Sequence, residues 1–118
     1  MYQPTLITEM ETCIQHCLDC HSACLAMVPY SLRMGRELTT PNHIKMLLTC
    51  AELCQTAANL MLMDSPLQNY ICAVCAAACK RCAEECERVA HGDEQMLACA
   101  ETCRECAASC RCAANMAA

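Results

Sequence analysis

The chain has 118 residues, a net charge of -5 and a pI near 5.2, a length that predicts one domain over residues 1–118. The acidity excludes nucleic acid as a partner, because phosphate binding needs a basic surface; no stretch approaches the roughly 18 uninterrupted apolar residues of a membrane span. The hydrophobic content is unusual in kind, with no Phe or Trp and three Tyr against 16 Cys and 9 Met, so aromatic packing does not fill the centre.

Punctuation and period predict four helices. Thr8 followed by Glu11 fits a capping box for the first, with Pro4 as an earlier possible start. Pro29 is expected to kink or end that helix, and Gly35 to lie in the following turn. Thr40-Pro41 is an N-cap and first-turn pair for the second helix, which runs to about Met63. Ser65-Pro66 repeats the signal for the third, which stops near His91-Gly92; Asp93 then caps the fourth, which reaches the Ala-rich C-terminus. No strand pattern competes. Three short connections between helices of similar length predict an all-α, up-down-up-down antiparallel four-helix bundle.

The cysteines fall on these helices at steps of three and four. The first carries Cys13, Cys17, Cys20 and Cys24, and the second Cys50 and Cys54. The third carries Cys72, Cys75, Cys79, Cys82 and Cys86, and the fourth Cys99, Cys103, Cys106 and Cys110. These are a/d positions, the stripe that faces a bundle interior. Cys112 is off the stripe. Cysteine also serves as a small buried hydrophobe, but a Leu at each position would fill a core better without the liability to oxidation.

Disulfides are the usual reading of so many cysteines in a short chain. Disulfide scaffolds are rich in loops, however, and this chain has two Gly and four Pro. Neighbours on one helix face are also poorly oriented for a disulfide. The N-terminal stretch has neither the basic nor the apolar region of a signal peptide, so a cytosolic, reducing compartment is expected.

Free inward thiols point to metal. Side chains at i and i+4 have Cβ atoms about 5–6 Å apart, which suits a nearly linear S–metal–S bridge at the roughly 2.3 Å metal–sulfur distance of zinc thiolates. Two-coordinate thiolate binding is a Cu(I) preference, and soft thiolates select soft metals. One Cu(I) per thiolate also leaves a nearly neutral core, whereas one Zn(II) per four thiolates leaves a large negative excess. Cu(I), many ions per chain, is therefore the expected ligand. Zinc or cadmium buffering of the metallothionein kind is the alternative in the binding class. A thiol-redox enzyme would need an exposed, activated cysteine; only Cys20-His21 and Cys110-Arg111-Cys112 invite that reading, and no enzyme is expected.

The segments ETCIQHCLDCHSAC (Glu11–Cys24), TCAELCQTAANLMLMDSP (Thr49–Pro66), ICAVCAAACKRCAEEC (Ile71–Cys86) and ACAETCRECAASC (Ala98–Cys110) resemble the bacterial four-helix-bundle copper storage proteins of the cytosolic branch. The resemblance covers essentially the whole chain. It implies storage of many Cu(I) ions in each bundle and a homotetramer of bundles. Where family members carry further cysteines, this chain has Met27, His43 and Met96, all at one end of the bundle, with His91 and Met46 close by. Met27, His43, Met96 and His91 therefore join the candidate metal ligands as a port of softer, neutral donors. His16 and His21 are expected at the surface, and Met61 and Met63 as packing of the closed floor. Lys80, Arg81, Arg88, Arg104 and Arg111 read as a solvated face set against Glu84, Glu85, Glu87, Glu101 and Glu105.

Overall fold

The computed structural model describes residues 4–116, and side chains from residue 8 onward. It contains four α-helices: α1 (Pro4–Met34), α2 (Pro41–Leu62), α3 (Gln68–Ala90) and α4 (Glu94–Ala114). A 3-10 turn (Arg36–Thr39) joins the first two. Each helix packs against its two neighbours in an up-down-up-down bundle measuring 52 × 20 × 17 Å. Among the described residues, no helix is long and apolar enough to cross a membrane.

Helix α1 begins at Pro4, the earlier of the two expected starts, so Thr8 lies inside it, its carbonyl accepting a 2.9 Å hydrogen bond from Thr12 Oγ1. It does not end at Pro29 but continues to Met34. Proline removes one helical hydrogen bond, but Pro29 faces solvent, where water satisfies the freed carbonyl. Gly35, at φ 77° and ψ -162°, ends the helix by donating its N–H to Ser31 O at 3.0 Å, a positive-φ conformation that glycine adopts readily.

The remaining boundaries follow side-chain chemistry. Thr40 precedes Pro41 as expected, but its hydroxyl donates backward to Glu37 O at 3.0 Å rather than capping α2. Ser65 does not cap α3 directly: its Oγ accepts from Leu67 N at 3.1 Å in a turn, and the helix starts at Gln68. Asp93 is a true N-cap, accepting from Met96 N at 2.9 Å, and Tyr30 on α1 donates to its other oxygen at 2.5 Å. Asp93→Ala removes both bonds, and a lost cap costs about 1 kcal/mol. Melting followed by circular dichroism should show the transition falling by several degrees, with Asp93→Asn retaining most of it; equal melting of wild type and Asp93→Ala would refute the cap's contribution.

Alanine makes the bundle narrow. Ala51, Ala57, Ala58, Ala76, Ala83, Ala100 and Ala107 are buried beside the cysteine stripes, so small side chains let the helices approach closely. The outer face carries the expected ion pairs. Arg104 donates two hydrogen bonds to Glu87, linking α4 to α3 at 2.6 and 2.8 Å, and Arg88 binds Glu85 along α3. Exposed pairs of this kind contribute little to stability.

Candidate metal centre

The fifteen stripe cysteines are free thiols buried in one continuous core, and Cys112 is exposed. Their inward placement follows from heptad spacing: each helix turns the same face to the axis every third or fourth residue. Helix α2 contributes least sulfur because its stripe passes from His43 through Leu47 to Cys50 and Cys54, then to Ala57, Ala58 and Met61. The sulfur column is thus asymmetric about the axis.

The closest sulfur contacts run mainly between helices. Cys17 lies 3.4 Å from Cys110, Cys54 3.6 Å from Cys79, and Cys20 3.7 Å from Cys103. The i,i+4 pairs Cys75–Cys79 and Cys106–Cys110 are longer, at 3.8 and 3.9 Å. Thiol-to-thiol contacts connect Cys13, Cys110, Cys17, Cys106, Cys54, Cys79, Cys50, Cys20, Cys103, Cys24 and Cys82 in an unbroken sequence along the bundle.

A linear bridge with metal–sulfur bonds near 2.3 Å needs sulfurs about 4.6 Å apart, and a trigonal one about 4.0 Å. The contacts of 3.4–3.9 Å are shorter than both values, so small side-chain movements bring inter-helix and i,i+4 pairs alike to bridging distance. Four groups of four sulfurs lie within 4.8 Å of one another: Cys17/Cys75/Cys106/Cys110, Cys20/Cys50/Cys54/Cys79, Cys20/Cys24/Cys50/Cys103 and Cys54/Cys75/Cys79/Cys106. They overlap, so the thiols are set to be shared between neighbouring ions.

Burial raises the pKa of these thiols, and neighbouring thiols act with or against it. Bonding to Cys106, Cys13 and Cys17 draws Cys110 down to about 6, and bonding to Cys103 and Cys24 draws Cys82 to about 7. Cys72 is pushed up by Cys13 and by burial. Metal-free, the core holds mostly neutral thiols, because isolated buried thiolates are costly.

The candidate port residues divide. His43 and Met96 are fully buried and Met27 nearly so. Both ring nitrogens of His43 lack a hydrogen-bond partner, as does Ser31 Oγ, one turn beyond Met27 on α1. Burial lowers the His43 pKa, which keeps the imidazole neutral and able to ligate. His91 is instead 68% exposed, with Nε2 3.2 Å from Glu37, because its left-handed backbone at the end of α3 turns it off the stripe. It does not join the core. Met46 is half-buried on the outer side of α2.

Two expectations are corrected. His16 and His21 are half-buried rather than at the surface: His16 Nδ1 pairs with Ser109 Oγ on α4, and His21 Nδ1 donates to Ala51 O on α2 at 2.8 Å. Both positions flank the stripe, where an imidazole reaches the adjoining helix. Met61 is buried as floor packing, but Met63, at the C-terminus of α2, is 65% exposed. Sequence reasoning missed the 3-10 turn and its buried Leu38, along with Leu47 and Ser31. Leu47 and Ser31 could have been found by continuing the stripes of α2 and α1; Leu38 lies outside any helical period.

Comparison with known proteins places this geometry. A family description, "Copper storage protein", matches residues 6–115. An uncharacterized cysteine-rich protein, YhjQ, of Bacillus subtilis is 36% identical over 70 residues, 59% of this chain and 65% of that one; the match thus spans less than two thirds of that curated relative. Among solved structures, a Cu(I)-bound copper storage protein, BsCsp3, is 35% identical with a TM-score of 0.83, covering 90% of this chain and 98% of that one. A cytosolic copper storage protein from Streptomyces lividans, with five coppers, is 25% identical with a TM-score of 0.85, covering 98% of this chain and 100% of that one.

Proposed function

Because the chain belongs to the copper storage protein family, we infer that it holds many Cu(I) ions on the thiolates of its core and keeps them sequestered. One observation carries this reading: fifteen buried free thiols share one core, and ten of them form four overlapping four-sulfur groups. A chaperone, which transfers one or two ions, needs no such capacity. Soft thiolates select Cu(I), and each thiol that gives up its proton to take one Cu(I) leaves the core no more highly charged.

The proposed ligands are Cys13, Cys17, Cys20, Cys24, Cys50, Cys54, Cys72, Cys75, Cys79, Cys82, Cys86, Cys99, Cys103, Cys106 and Cys110, with Met27, His43 and Met96 as softer neutral donors at one end. Met27 meets an incoming ion first, and the buried His43 and Met96 hold ions loosely beside the thiolates; the unpartnered nitrogens of His43 support this role. His91, outside the core, would act only as a surface ligand beside Glu37. The protein is a store rather than an enzyme.

The proposed compartment is the cytosol, supported by the Streptomyces lividans relative described as cytosolic. The proposed assembly is a homotetramer of bundles. Leu25 and Leu32 on α1 and Leu48 on α2, at 43–59% exposure, supply apolar surface for contact between copies.

An anaerobic titration of the fully reduced protein with Cu(I), against a competing chromophoric chelator, tests storage. The expected result is tight binding of ions in a number comparable to the core cysteines. Saturation at one or two ions would reject storage and point to a divalent metal such as zinc in the four-sulfur groups.

A further inference from the structure

The two ends and four flanks of the bundle do not seal the sulfur column equally. Core cysteines are 0–1% exposed except Cys99 at 3%, and Met27 reaches 9%. Both line one depression of about 240 Å³ between α1 and α4, together with Ala23, Ala26, Ala98 and Thr102. The axial end near these residues is closed: His43, Met96 and Ser31 are 0% exposed and Leu38 of the 3-10 turn 8%. The depression beside that turn, lined by Leu38, Val89, Ala90 and His91 among others, reaches no cysteine.

Alanine at three positions of the α1–α4 wall leaves room that larger side chains would fill. Behind the wall, Cys103 stands one turn along α4 from Cys99, and its sulfur lies 3.7 Å from that of Cys24. His43, its ring nitrogens unpartnered, is buried on α2 at the same end of the bundle.

We propose that Cu(I) reaches the column sideways, through the gap between α1 and α4, delivered by a small thiol and received by Met27 and Cys99. This deepens the storage reading and rests on it. The exchange is a ligand substitution without redox change. A donor complex RS–Cu–SR, carrying one negative charge, forms a bond from copper to Cys99 Sγ and breaks one bond to its own sulfur. The Cys99 proton leaves on the departing thiolate as RSH, and copper stays Cu(I). A second substitution by Cys103 or Cys24 releases the other RSH and draws the ion inward. Met27, a neutral thioether, holds copper during the exchange without a proton of its own.

Two experiments test the gap independently. In a Cys112→Ser background, which removes the exposed thiol, a substoichiometric dose of iodoacetamide on the reduced, metal-free protein should label Cys99 before any other core cysteine, as read by peptide mass spectrometry. First labelling at Cys13 or Cys72, at the opposite end, or equal labelling throughout, would overturn the proposal. In the second, Ala26→Leu with Ala98→Leu, both at exposed helical positions, should slow Cu(I) uptake from Cu(I)–glutathione about tenfold or more, since side chains must leave their preferred rotamers for an ion to pass. Final capacity should be unchanged, and Leu38→Ala should load at the wild-type rate. Native-rate loading by the double variant, or faster loading by Leu38→Ala, would move the port to the axial end. Wild-type protein that binds no Cu(I) would instead defeat storage itself, and Cys99 labelling would still test the gap.

Discussion

Filling the reduced protein with Cu(I) is expected to raise its unfolding temperature by on the order of 20 °C or more, while the metal-free chain is already helical. Heptad register, the Asp93 cap and buried alanine interfaces specify the bundle without an ion. A ligand at a hundred times its dissociation constant stabilises the folded state by about 2.7 kcal/mol per site, and several such sites together rival the whole 5–15 kcal/mol stability of a typical domain. Thiols of the unfolded chain also bind Cu(I), so the gain is smaller than the sum over sites. Thermal melts of metal-free and loaded protein, followed by circular dichroism under anaerobic conditions, measure the difference. Superimposable melts would mean that copper does not bind the folded column preferentially; a random-coil spectrum without metal would mean that the bundle needs the ion to form.

The second large effect concerns His43. In the metal-free protein its two ring nitrogens are buried without partners, and an unsatisfied buried polar group costs about 1–3 kcal/mol. His43→Leu removes that cost, so the metal-free variant should melt several degrees above wild type while acquiring Cu(I) more slowly. The pH dependence has a definite sign. Burial lowers the folded-state pKa below the ordinary 6.5, so the unfolded chain binds more protons over that interval. Wild-type stability therefore declines as pH falls below about 6.5, and the Leu variant lacks that component of the decline. Equal melting temperatures across this range would show that the imidazole is satisfied in solution. Greater stability with unimpaired uptake would remove His43 from the port.

Much of this molecule is legible in its sequence because cysteine spacing carries two messages at once. The steps of three and four state that the segments are helical, and the residue type states what their shared face holds. All fifteen stripe cysteines are buried, and Cys112 lies outside. What could not be read depends on direction rather than period. His91 ends α3 with a left-handed backbone that swings its ring to Glu37. Of the two outcomes expected at Pro29, a kink or an end, the helix does not end there, because the local cost of proline is met on its exposed face. The close sulfur contacts between helices also depend on how closely the alanine-lined helices approach, a tertiary quantity with no local signature.

The unbroken run of thiol contacts from Cys13 to Cys82 also bears on the order in which the column fills. A copper ion displaces a proton wherever it settles, and cysteines at 0% exposure have no water at hand to accept it. The same run is a relay along which protons can hop outward as cations travel inward. An ion seated close to the α1–α4 gap interrupts that relay for every thiol beyond it, whereas one seated at the far end leaves it whole. Occupation from the remote end toward the gap is thus the sequence that keeps the two opposite currents open longest, and emptying retraces it, with the last ion in being the first to leave.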